Sequence, residues 1–146
     1  MIDTVQKNDV DAAAGQGATC TEFMISMRDG VRLATDVHLP AGFRPGIDAP
    51  LPTILERTPY GKREVSRSEI NRGEPAAHRG DVAAYFVARG FAVVFQDCRG
   101  RHGSEGEFTK YLSEGPDGYD TLEWITQQDW STGRIGTMGQ IGRAHV

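Results

Sequence analysis

The run Phe91-Ala92-Val93-Val94-Phe95 most narrows what this chain can fold into. A strand with one wet face alternates apolar and polar residues, but this run is apolar throughout, as in a strand covered on both faces. Such strands belong to sheets with helices packed above and below. The flanks agree. Asp81 to Arg89 reads as a helix with Val82, Tyr85, Phe86 and Arg89 on one stripe, and Gly90 stops it. On the other side lies a polar, glycine-rich loop from Gln96 to Phe108.

The remaining elements extend the same architecture. Phe23, Ile25 and Met27 alternate up to the turn pair Asp29-Gly30, and Val31, Leu33, Thr35 and Val37 alternate after it. That pattern is an antiparallel hairpin with one buried face. Arg28 and Asp29 read as turn residues without chemistry. A loop rich in Gly and Pro spans 40–50, and Pro52 to Glu56 is a short apolar strand. A long polar stretch runs from Arg57 to Arg79, the kind of connection that is usually functional. Pro116 suits a first helical turn, and Tyr119, Leu122 and Ile125 continue the stripe to about Gln128. Ile135 and Met138 mark a last strand after Gly133. The expected fold is α/β: an N-terminal hairpin, then parallel strands near 52–56, 91–96 and 134–138, with crossover helices near 80–89 and 116–128. Residues 1–18 are small, polar and aperiodic, so a disordered lead-in precedes a domain covering 19–140.

Length allows one domain with a real core, at 146 residues. With 38% hydrophobic and 25% charged residues, neither disorder nor a membrane span is indicated. A net charge of −4 without a dense Lys/Arg run argues against nucleic acid as a partner. No basic region followed by an apolar stretch opens the chain, so a cytoplasmic location is expected. Cys20 and Cys98 lack metal spacing and read as reduced, buried thiols. His38, His78, His102 and His145 share no ligand spacing and read as surface residues, so no metal or other cofactor is expected. The glycines at 133, 136, 139 and 142 do not form a nucleotide-binding fingerprint. Trp124 and Trp130 read as packing residues. Composition carries no signal of oligomeric state.

Three places could carry chemistry. Asp97 and Glu105 flank Arg99 and Arg101, which suggests an ion-pair and hydrogen-bond lattice bracing the loop, with direct acid-base work as the alternative. Ser104, within Gly103-Ser104-Glu105-Gly106, is off any strand-to-helix turn and reads as a loop cap. Tyr60 falls just past the first parallel strand, where α/β-hydrolases place a loop contributing to the oxyanion hole. A phenol with pKa about 10 stays neutral at physiological pH and can donate to a developing alkoxide. Packing is the alternative role. Finally, Gly139-Gln140 begins a turn of the Gly-x-Ser-x-Gly kind, but Ile141 stands at the serine position and Gly142 follows it.

These strings together resemble one family. Met27 to Asp36, Arg57-Thr58-Pro59-Tyr60, Gln96 to Gly100, Gly103 to Phe108 and Glu114 to Thr121 are similar, in order and spacing, to the cocaine-esterase-like and X-prolyl dipeptidyl-peptidase-like serine hydrolases. The resemblance implies an α/β-hydrolase fold, here truncated, and cleavage of small esters or amides through a Ser-His-Asp triad and an acyl-enzyme. It implies an oxyanion hole built from the Tyr60 hydroxyl and the backbone N–H at Gly142, with the nucleophile at position 141. The histidine, acid and cap of the family would lie beyond residue 146. As written the chain is thus expected to be an inactive N-terminal piece of such an enzyme; a non-catalytic α/β binding module is the alternative. Residues 141–146 also resemble the forward-frame translation of a common sequencing adapter, ATC GGA AGA GCA CAC GTC. A non-native tail is therefore expected there, with a natural pseudo-elbow as the alternative.

Overall fold

The computed structural model describes residues 12–65, 78–109 and 112–139. Within them lie β1 (Ala18–Ser26), β2 (Arg32–Pro40), β3 (Leu51–Thr58), α1 (Arg79–Val87), β4 (Ala92–Asp97), α2 (Glu114–Thr126) and β5 (Ser131–Thr137). The strands form one sheet in the order β1-β2-β4-β3-β5. β1 and β2 are the expected antiparallel hairpin, closed by Gly30 N–H donating to Met27 C=O at 2.9 Å. β2 then runs antiparallel to β4, while β4, β3 and β5 are mutually parallel neighbours in that order. Both crossover helices and all three parallel strands fall where the patterning places them.

β4 occupies the middle of this sheet, and every one of its residues is buried. Each large apolar side chain hidden this way contributes roughly 1.5–3 kcal/mol. Its side chains alternate between two cores. Ala92 and Val94 join Val37, Leu55, Ile125 and Trp130 beneath α2. Val93 and Phe95 pack against Val82, Ala83 and Val87 of α1. The run is continuous because both faces are covered. Trp124 and Trp130 pack edge to face, with ring centroids 6.2 Å apart, and Phe23 lies against Trp124.

Two helical stripes are rotated from expectation. α1 buries Val82, Ala83 and Val87, while Tyr85 is exposed with the Arg89 guanidinium 3.5 Å from its ring centroid. α2 buries Asp117, Thr121 and Ile125; Tyr119 is exposed and donates to Glu123 Oε1 at 3.0 Å. In both helices an aromatic ring satisfied by a neighbour four residues away stays at the surface. Val82 and Ile125 of the expected stripes do meet the sheet, joined by Ala83, Val87, Asp117 and Thr121 in place of the two tyrosines. Within the stretch expected as a lead-in, Ala13 is buried beside Cys20, and Ala18 opens β1. Residues 1–11 lie outside the described residues. No described helix is long and apolar enough to cross a membrane.

Candidate active site

The parallel strands end together. Thr58 of β3 is in register with Asp97 of β4, and Met138, just past β5, donates its N–H to Leu55 C=O at 3.0 Å. Ligands of open α/β sheets bind outside this carboxyl edge, where the loops leave the strands. Tyr60 stands on the first such loop and is 48% exposed. Its backbone N–H donates to Thr58 Oγ1 at 3.0 Å. Gly61 has φ +100°, and a Cβ there would sit 2.5 Å from Glu64 Cγ and 3.3 Å from the His102 ring. Only glycine serves at that corner.

Four charges anchor the chain just beyond Tyr60. Lys62 Nζ lies 2.6 Å from Glu22 Oε2 and 3.2 Å from Asp36 Oδ1. Arg63 reaches the same two carboxylates, at 2.6 Å from Glu22 and 2.9 Å from Asp36. Lys62, Glu22 and Asp36 are buried, so each charge relies on its partners. The loop leaving β3 is thereby pinned onto the hairpin.

The lattice expected around Asp97 exists with different partners. Asp97 does not pair with the arginines beside it. Its Oδ1 accepts from Lys62 N–H at 2.8 Å and its Oδ2 from Gly103 N–H at 3.1 Å. Arg99 instead bridges Asp117 at 2.7 Å and Asp29 at 2.8 Å, while Arg32 pairs with Glu105 at 2.8 Å. Arg101 lies over the Phe108 ring, 4.0 Å from its centroid. The turn residues read as chemically idle are tied in as well, since Arg28 meets Asp120 at 2.7 Å. Several of these partners are 70 or more residues apart, and nearness along the chain carries no signal of them. Ser104 braces the loop as expected: its Oγ donates to Asp97 C=O at 2.6 Å and accepts from Ala34 N–H at 2.9 Å.

His38 is not at the surface. It is buried on β2 opposite Cys20 of β1, with Nε2 3.8 Å from Cys20 Sγ and its ring edge-on to Phe95. Burial brings its pKa down to about 4 and pushes the Cys20 thiol well up from its ordinary range. Cys20, Asp36 and His38 offer ligand atoms within 4.8 Å of one another. The donor set suits a cation poorly. Asp36 is already committed to Lys62 and Arg63, whose charges face the same spot, and the thiol is held protonated. Cys20 and Cys98 are buried thiols outside any disulfide, as expected.

Ile141 and Gly142, the expected nucleophile and backbone-donor positions, lie outside the described residues, as does Gln140. Of the expected site, the structure therefore describes the Tyr60 side.

This helix-covered mixed sheet is the α/β-hydrolase fold of the solved structures that it matches. The X-Pro dipeptidyl-peptidase (S15 family) matches residues 29–140, and the chain belongs to that hydrolase family. It is similar to the cocaine esterase of Rhodococcus sp. (strain MB1 Bresler), 40% identical over 128 residues, which cover 86% of this chain and 20% of that protein. An α-amino-acid ester hydrolase structure is 31% identical with a TM-score of 0.60, covering 87% of this chain and 21% of that one. A CocE/NonD family hydrolase from Staphylococcus aureus shares the fold, with a TM-score of 0.62 at 22% identity over 94% of this chain and 27% of that one. The chain spans about a fifth of the length of the curated relatives it matches.

Proposed function

We propose that this chain supplies the oxyanion-side part of a serine acyl hydrolase acting on small esters or amides. The observation that carries the reading is Tyr60: half-exposed, at the carboxyl edge of the sheet, on a turn whose backbone is fixed by Thr58, Asp97 and Gly61. A preorganised neutral donor stabilises the charge that develops on a carbonyl oxygen during acyl transfer. The relatives' names, cocaine esterase and α-amino-acid ester hydrolase, support an ester-type substrate.

The nucleophile belongs at position 141, with the N–H of Gly142 as second oxyanion donor. Ile141 carries no nucleophile, so the chain as written lacks hydrolytic activity, and Ile141→Ser alone does not restore it without a histidine to take the proton. Adapter bases directly after the Gln140 codon in the source DNA would establish residues 141–146 as non-native.

The test uses the full-length hydrolase carrying Ser at 141. Tyr60→Phe should lower kcat on a p-nitrophenyl ester by roughly 10²–10³. KM should change little, because the bond strengthens mainly as charge develops. Equal kcat in the two proteins would leave Tyr60 a packing residue.

A further inference from the structure

We infer that Asp97 is the positioning residue for Tyr60: its carboxylate joins the loops leaving β3 and β4 into one rigid unit and so fixes where the phenol points. The inference rests on the oxyanion role proposed above.

The geometry is specific. Asp97 ends β4 beside Thr58, the last residue of β3, and is 2% exposed. Its two oxygens are divided between the loops, one taking Lys62 N–H and the other Gly103 N–H. Lys62 is two residues beyond Tyr60, and Thr58, two residues before it, takes the Tyr60 N–H. Tyr60 is thus bracketed by two side-chain acceptors from adjacent strands. The carbonyl of Asp97 is held as well, by Ser104 Oγ. The His102 ring abuts Gly61, with the His102 backbone itself at φ 47°, a conformation few side chains adopt.

The choice of residue argues for function over mere bracing. Arg99 and Arg101 are close in sequence, yet this carboxylate is spent on two backbone amides. Burial pushes its carboxyl up from the ordinary range, against the pull of those amides and of Lys62. Keeping a charge there opposes folding. What the charge secures is that both oxygens accept at once. An amide side chain cannot do this, since its NH₂ would face one of the two N–H groups.

The test is a double-mutant cycle in the full-length hydrolase carrying Ser at 141, with Asp97→Asn and Tyr60→Phe, assayed with a p-nitrophenyl ester. Asp97→Asn should lower kcat roughly 10- to 100-fold, the scale of a misplaced catalytic group, with KM little changed. In the Tyr60→Phe background the same change should have almost no effect on kcat. Thr58→Val, which removes the other acceptor at nearly constant volume, should behave likewise and serves if Asp97→Asn does not fold. An equal loss from either change in both backgrounds would overturn the inference. Full kcat in a folded Asp97→Asn protein would overturn it too. Failure of Tyr60→Phe itself to lower kcat is a separate outcome: it removes the oxyanion role and with it the basis for a positioning residue.

Discussion

His38 shows how one buried side chain sets a pH limit. Its imidazole is 1% exposed, and desolvation is the main reason its pKa falls from 6.5 to about 4. Asp36 favours the charged ring, whereas Arg63 and Lys62 oppose it. Because the folded value lies below the unfolded one, the neutral ring's contribution is complete above 6.5. It is lost as pH falls toward 4, and flat below that. The difference amounts to about 3 kcal/mol. Urea unfolding at pH 7 and pH 4 should therefore show a smaller drop for His38→Gln than for the parent, by about that amount. An identical drop would mean that His38 does not titrate in its buried setting.

Between elements, Gln96 does for the α2 face what Asp97 does for the loops. It is fully buried, and its Oε1 accepts from Arg57 Nε at 2.6 Å and lies 3.0 Å from Thr121 Oγ1, while its Nε2 donates to Thr35 at 3.0 Å. Arg57 continues to Glu114 at 3.0 Å, in the first turn of α2, where an acidic group also suits the helix dipole. One amide thus links β2, β3, β4 and α2. Gln96→Ala strands buried donors and acceptors that each cost about 1–3 kcal/mol, so a total near 3 kcal/mol is expected after partial relaxation. The shift in urea midpoint measures it; a loss under 1 kcal/mol would show that the network can rewire. The same cluster explains why α2 turns Thr121 rather than Tyr119 to the sheet.

On the scale of the whole molecule, the weak side is β5. Among the described residues it pairs only with β3, and most of its residues are exposed. An open strand edge is a template for another chain, although Arg134 blunts it. The 146-residue polypeptide should self-associate with rising concentration, read by sedimentation velocity, and melt without a sharp cooperative transition. A monomer with sharp thermal unfolding would count against this.

The element types were legible because their causes are local. Period-two alternation around Asp29-Gly30 can only bury one face as a hairpin, and Phe91 to Phe95 has no polar residue to give to water. Tyr60 could be placed because the end of a strand is also a local property. The sheet order was not legible: that β2, and not another strand, lies antiparallel against β4 depends on contacts between distant segments. Charge partners were hidden for the same reason. Asp97 lies next to arginines in sequence, but in space two loops bring backbone amides to it first, while Arg99 goes to carboxylates on the hairpin and α2 and Arg101 to the Phe108 ring. The sequence by itself determined which residues form strands and helices, and that Tyr60 follows the first parallel strand. Only the tertiary structure decided what holds that residue still, because a buried carboxylate takes whichever donors the fold brings within reach.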